Sequence, residues 1–226
     1  MPDFLRGVVL IAAKDLRIEW RTRTAFVSAL AFAVLVLAVI FFSRDPTLVS
    51  ANAIAPGALW VTFAFATMLG MHRAFGVERD RHALDGLLLS PVPREAIFWG
   101  KWLGNLLFVA GIELIGLPVA FLFYDLPGWS RLPLVAVVVL LATVAFVAVG
   151  TLVGAMTART RHGELLLVLL LLPFLFPPAV AGVQITARLL EGRPLSEVAG
   201  WLKLIAAFDI VFLALASLLF PATLDE

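Results

Sequence analysis

The sequence predicts an all-α integral membrane protein in which six transmembrane helices follow an N-terminal amphipathic helix at the membrane interface. Of its 226 residues, 62% are hydrophobic and only 15% are charged, whereas about a quarter of the residues in a soluble domain are charged. The mean hydropathy is +1.03. Because the apolar residues fall into separate runs without a soluble stretch of domain size, we expect a single transmembrane domain over residues 1–226.

The first 24 residues place basic and apolar side chains on different faces of a predicted helix. Four basic residues share an arc of roughly 80° on a helical wheel: Arg6, Lys14, Arg17 and Arg21. Another face carries Leu5, Val9, Leu16 and Trp20. We expect residues 1–24 to lie in the cytoplasmic headgroup region with the basic side toward anionic lipid; the alternative is a charged leader ahead of the first span. Because the segment stays charged as far as Arg23, we do not expect a cleaved signal.

Six apolar runs follow this helix, and about 20 apolar residues are needed to cross the hydrocarbon core of a bilayer. Their approximate limits are 25–42, 55–71, 103–123, 133–156, 165–187 and 202–221. The second run is short, so we expect its helix to continue past His72 into the cytoplasm.

The fifth run contains Pro173, Pro177 and Pro178. Prolines free backbone carbonyls that lipid cannot satisfy. We therefore expect a kinked helix that packs against protein and ends near Pro177. Residues 178–200 would then form a re-entrant or outer-surface helical hairpin.

Lysine and arginine residues near the spans predict the orientation, because cytoplasmic loops carry an excess of them. The N-terminal segment has five, the loop at 72–101 five and the loop at 157–164 two. The opposite side has five: Arg44, Arg131, Arg188, Arg193 and Lys203. We expect both termini and the 72–101 loop to be cytoplasmic.

Residues 72–101 are the only long charged segment between two apolar runs, and they also hold a leucine cluster. The cluster consists of Leu84, Leu87, Leu88 and Leu89. Isolated leucines in water need no explanation, but a cluster of four indicates a covering partner. A short amphipathic helix at about 83–90, ended by Pro91 and Pro93, would present part of the cluster on one face. The alternative is a solvated loop.

Several kinds of chemistry are excluded or disfavoured. The chain has no cysteine, which removes disulfides, thiol catalysis, iron–sulfur ligation and covalent haem attachment. Gly100-Lys101 lacks the preceding glycine and following Ser or Thr of a phosphate-binding loop, so any ATP hydrolysis belongs to a partner. The three histidines, His72, His82 and His162, fall on the expected cytoplasmic side, and we expect no metal or cofactor on this chain and no catalytic residue.

Two acids stand out inside the apolar runs, Glu113 in the third and Asp209 in the sixth. Charged groups at membrane depth cost about 2.5–3.5 kcal/mol on insertion scales and face protein or a polar path. They mark either a substrate path or structural pairing with Thr, Gln184 or backbone groups. Gly150 and Gly154 in the fourth run have the spacing that lets two helices approach closely, which raises the hypothesis of a dimer contact.

Three stretches together resemble the heme exporter protein B family, CcmB, of the type-2 ABC transporter permeases. They are IAPGALWVTFAFA at 54–66, LLLSPVPREAIFWGK at 87–101 and the proline-rich LLLLPFLFPPAVAGV of the fifth run. The resemblance covers essentially the whole chain, and it implies the type-2 permease architecture in a bacterial cytoplasmic (inner) membrane.

The resemblance also implies partners and a docking element. The family works with a separate ABC ATPase and with haem-handling membrane subunits in cytochrome c maturation, and we also expect a second copy of the chain, a lipid environment and no nucleic acid. The 72–101 loop would be the coupling element that docks on the ATPase, with apolar residues in a groove and charges fixing the register. Its docking residues would be Glu78, Leu84, Asp85, Gly86, Leu87, Leu88, Pro91 and Arg94.

Alternatives to haem export remain at this point. ATP hydrolysis could instead drive release of a haem-loaded chaperone, or the chain could be a scaffold that anchors the ATPase to a haem-handling subunit. It could also be the permease of another small-molecule exporter. An intramembrane enzyme that uses Glu113 and Asp209 is the alternative from a different class.

Overall fold

The computed structural model describes residues 2–80, 92–126, 128–157, 160 and 162–223. Within them the chain forms seven α-helices and one short 3-10 turn. The helices are α1 (Pro2–Thr22), α2 (Thr24–Ser43), α3 (Ala51–Asp80), α4 (Arg94–Phe123), α5 (Leu132–Thr157), α6 (Gly163–Leu190) and α7 (Leu195–Thr223), and the 3-10 turn is Trp129–Arg131. Helices α2 to α7 are each long and apolar enough to cross a membrane, so the prediction of an all-α, multi-pass membrane protein is confirmed.

Helix α3 confirms the expected extension of the second span. It runs for 30 residues, from Ala51 to Asp80, which corresponds to about 45 Å at 1.5 Å per residue. A bilayer core is about 30 Å thick, so the last turns of α3 extend beyond the apolar run that ends at Met71.

The six long helices alternate in direction, which gives the bundle two ends. We call the end that carries α1 and the start of α4 the near end, and the end that carries the α6–α7 turn the far end. At the far end, the Tyr124 hydroxyl donates to the Leu37 carbonyl at 2.9 Å, and Arg131 Nη1 donates to the Leu189 carbonyl at 2.6 Å. These bonds tie α4 to α2 and the start of α5 to the end of α6.

The expected end of the fifth span near Pro177 is wrong, because α6 continues through all three prolines to Leu190. Helices in a membrane tolerate proline where neighbouring helices cover the freed backbone groups, and α6 contacts α3, α5 and α7. Residues 178–200 therefore belong to the end of α6 and the start of α7, joined by residues 191–194.

The signal that ends α6 is a glycine, not a proline. Gly192 adopts a φ of 89°, a left-handed conformation that glycine reaches without a Cβ penalty. The Gly192 N–H donates to the Leu189 carbonyl at 3.1 Å, and the Arg193 N–H donates to the Arg188 carbonyl at 3.0 Å. This pair of bonds is the Schellman motif, and Pro194 follows it directly before the first residue of α7.

Helix α5 lies at the centre of the bundle, in contact with α3, α4, α6 and α7. Its buried face is rich in small residues, including Ala142, Ala145, Ala148 and Gly150. Small side chains allow close helix approach in a membrane. The largest buried side chain is Trp60 of α3, whose indole N–H donates to the Thr186 hydroxyl of α6 at 2.9 Å.

Candidate functional site

One face of helix α1 packs along the start of α4. Val8, Ile11 and Ala12 of α1 are buried. A Cβ at Gly100 would collide with Ile11 and with the Val8 carbonyl. The absence of a side chain at Gly100 therefore lets the two helices touch, and any larger residue there would push α1 away.

A buried cation lies in the same contact. Lys101 is only 3% exposed, and its Nζ is 3.4 Å from Oδ2 of Asp15 on α1. A buried charge is tolerated when it is paired. Asp15 also accepts from Lys14, at 3.0 Å. We call this contact between α1 and the start of α4, centred on Gly100, Lys101 and Asp15, the α1–α4 seam.

Most of the predicted docking residues lie outside the described residues, namely Leu84, Asp85, Gly86, Leu87, Leu88 and Pro91. Glu78 belongs to the last turns of α3. Arg94 is exposed on the first turn of α4, directly after Pro93. The docking role of this set stays a prediction. Among the described residues, Arg94 begins α4, and the same helix reaches the α1–α4 seam at Gly100.

Glu113 has a definite partner within the membrane. It is 5% exposed, and the Thr143 hydroxyl of α5 donates to its Oε1 at 2.5 Å. The same hydroxyl is 2.9 Å from the Val139 carbonyl one turn away. A threonine hydroxyl carries a single hydrogen, so Thr143 keeps an acceptor on its own helix even without Glu113.

A second polar pair lies in register with the first. The Asn105 side-chain amide of α4 donates to the Thr151 hydroxyl of α5 at 3.4 Å. Asn105 and Glu113 are eight residues apart on α4, and Thr143 and Thr151 are eight residues apart on α5, about 12 Å on each helix. We call these two pairs the α4–α5 polar seam. Sequence reasoning missed Asn105 and Thr151, although the equal spacing on two neighbouring runs was a usable signal.

Asp209 differs from Glu113 in its surroundings. It is 7% exposed on the buried stripe of α7 and lies against the backbone of Ala145. Among the described residues, nothing hydrogen-bonds to its Oδ1. The structure therefore does not bring Asp209 and Glu113 into one polar pair, since each faces a different part of α5.

The two glycines predicted to allow close approach lie on the buried face of α5. A Cβ at Gly150 would meet the Met71 side chain of α3, so this glycine serves a contact inside the chain. Gly154 is buried one turn further on. Gly150 therefore serves packing between α5 and α3, and a dimer contact at these glycines stays a prediction.

Comparison with known proteins identifies the family over nearly the whole chain. The CcmB protein family model matches residues 6–226. Heme exporter protein B of Paracoccus denitrificans is 34% identical over 205 residues, which cover 90% of this chain and 91% of the relative. The protein of the same name from Rhodobacter capsulatus is 30% identical over 207 residues, covering 92% and 94%, and that of Pseudomonas aeruginosa is 27% identical over 202 residues, covering 89% and 90%. The resemblance seen in the sequence is confirmed, and the chain belongs to the CcmB protein family.

Proposed function

We propose that this chain is the membrane subunit of a haem-export ABC transporter system that serves cytochrome c maturation. Its family membership, the near-complete coverage of proteins named heme exporter protein B and its six long apolar helices support this function. ATP hydrolysis takes place on a separate subunit, because the sequence has no phosphate-binding loop. The chain itself carries no catalytic residue in this proposal.

The observation that carries the coupling role is the α1–α4 seam. Helix α4 starts at Arg94, a few residues after the leucine cluster at 84–89. Within two turns α4 is fixed to α1 through Gly100 and Lys101. A partner that docks on the loop therefore acts on α4 and α1 together. The movement would reach Glu113 and Asn105 along the same helix, and from there the α4–α5 polar seam.

The proposal places both termini and the leucine-rich loop in the cytoplasm of a bacterial inner membrane, where the ATPase is available. The twelve-to-five distribution of Lys and Arg supports this orientation. The exposed face of α1 combines basic residues with the apolar side chains of Leu5, Val9 and Trp20, as expected for a helix in the interface of an anionic leaflet.

The test is recovery of the ATPase subunit with the tagged chain from detergent-solubilised membranes. Leu88→Asp forces a charge into an apolar contact and should abolish recovery while membrane insertion stays normal. Arg94→Ala removes a rim charge and should weaken recovery mainly at low salt, because added salt screens the contribution of an exposed charge. Leu48→Asp is the matched control, because Leu48 is 81% exposed in the loop between α2 and α3 at the far end. Full recovery with Leu88→Asp would place the docking element elsewhere.

A second measurement separates docking from transmission. Lys101→Met keeps the length of the side chain but removes the charge that pairs with Asp15. We expect this variant to retain the ATPase subunit and to lose cytochrome c maturation in cells. If maturation continues at the normal level, the α1–α4 seam does not transmit the action of the ATPase.

A further inference from the structure

An apolar groove lies between α3 and α6 and opens toward the surrounding hydrocarbon. Its volume is about 440 Å³. Trp60, Met68 and Leu175 are buried and form its floor, whereas Phe65 and Phe176 are exposed along its edges. Gly57 also lines it, and a Cβ added there would meet nothing within 4 Å, so the space beside Gly57 is open.

The polar side chain that lines the groove lies where the groove approaches the far end of the bundle. Gln184 is the one polar side chain other than tryptophan among the lining residues. Arg188, one turn further along α6, donates through Nη1 to the Gln184 Oε1 at 2.7 Å and to its carbonyl at 2.9 Å. A guanidinium therefore lies directly beyond the point where the apolar lining ends.

The charges around this end favour an anion. The acids of the α6–α7 turn, Glu191 and Glu197, are both paired with Arg193, at 2.8 and 3.2 Å. The carboxylates of this turn therefore already have a cation, whereas Arg188, at the end of the groove, is hydrogen-bonded to Gln184 and, among the described residues, not to an acid.

The length of the groove fits a hydrocarbon chain. Its lining on α6 runs from Leu172 to Gln184, about 18 Å along the axis at 1.5 Å per residue, which is close to the roughly 15 Å of one leaflet's hydrocarbon.

We propose that the groove between α3 and α6 is a binding site for a phospholipid with an anionic headgroup. One acyl chain lies along the floor formed by Trp60, Met68 and Leu175. The headgroup phosphate accepts hydrogen bonds from Arg188 at the far end. This lipid site is separate from the predicted ATPase-docking residues and from haem transport. The bound lipid would be a structural ligand in the leaflet opposite α1.

The experiment counts phospholipid retained by the purified chain, using native mass spectrometry with added dioleoyl phosphatidylglycerol or dioleoyl phosphatidylcholine. Gly57→Leu fills the open space and displaces about two methylenes. Because each buried methylene contributes about 0.8 kcal/mol, retention of either lipid should fall by more than about tenfold. Gly200→Leu is the matched control, since a Cβ at Gly200 also meets nothing within 4 Å and Gly200 does not line the groove. Ala64→Leu, on the same wall of α3, is a second groove-filling variant.

Arg188→Gln tests the headgroup separately from the chain. It should lower the retention of phosphatidylglycerol by about fivefold relative to that of phosphatidylcholine, the effect of one basic residue on a lipid with a net negative charge. Equal lipid retention in Gly57→Leu and Gly200→Leu overturns the proposal. So does a Gly57→Leu variant that retains lipid but loses bound protoporphyrin or the second copy of the chain, since the groove would then hold one of those instead.

Discussion

Glu113 and Asp209 are two acids at similar burial in the same bundle, and they are held in opposite ways. Glu113 accepts a hydrogen bond from Thr143 across the α4–α5 polar seam. Asp209 faces the backbone of Ala145, and its Oδ1 has no partner among the described residues. Burial therefore does not decide whether an acid is structurally satisfied. The side chain that the neighbouring helix offers at the same height decides it.

The difference follows from the register of α5. At the height of Glu113 this helix presents a threonine hydroxyl, and at the height of Asp209 it presents an alanine. An unsatisfied buried polar group costs about 1–3 kcal/mol of folding free energy. Buried polar groups in native proteins usually have a partner, so Asp209 needs an explanation that Glu113 does not, and a functional role of Asp209 is the hypothesis that the variants below test.

The largest effect on stability is expected from Thr143→Val, because it leaves Glu113 buried without a donor. We expect the free energy of unfolding to fall by about 1–3 kcal/mol, measured as a lower melting temperature of the detergent-solubilised chain. Thr67→Val is the control, since the buried Thr67 hydroxyl donates only to the Phe63 carbonyl of its own helix. A similar loss in both variants would mean that Glu113 does not depend on Thr143.

The next effect should have the opposite sign. Asp209→Leu removes the unsatisfied oxygen, so the chain should become about 1 kcal/mol more stable while cytochrome c maturation in cells is lost. Asp209→Asn, which keeps the shape of the side chain, separates a need for the carboxylate from a need for hydrogen bonding. Normal maturation with Asp209→Leu would contradict a functional role.

The smallest effect is expected at Glu113 itself. In Glu113→Leu the Thr143 hydroxyl still donates to the Val139 carbonyl, so the melting temperature should change by the equivalent of less than about 1 kcal/mol. The melting temperature of Glu113→Gln should be closer still to that of the natural chain, because the glutamine amide can donate a hydrogen bond to the Thr143 oxygen. The double variant Thr143→Val with Glu113→Leu should recover most of the stability lost in Thr143→Val alone. If it does not, the two residues do not act as a pair.

The hydropathy pattern was sufficient to predict the six spans and the extension of α3, because both depend on local composition. The predicted end of α6 near Pro177 was wrong, because a proline inside a membrane helix is a weaker stop signal than a left-handed glycine. Gly192, which Pro194 follows closely, provides that stronger signal. Both acids were found from the sequence, and threonine and backbone groups were among their expected partners. The individual residues Thr143 and Ala145 could not be identified, because they face the acids only once α5 has a register against α4 and α7. The contact of α1 with α4 was missed for the same reason, since Gly100 and Asp15 are far apart in the chain.

The Asp15–Lys101 pair joins residues 86 positions apart, and this separation sets an order of events during synthesis. Ribosomes add about 5–20 residues per second, so α1 exists for roughly 4–17 s before its seat on α4 has been made. During that interval its basic residues and its exposed apolar side chains, among them Leu5, Val9 and Trp20, can hold it on the membrane surface. The amphipathic character of α1 thus has a role in biogenesis as well as in the finished bundle. It keeps α1 bound to the membrane surface until α4, the third span, is inserted.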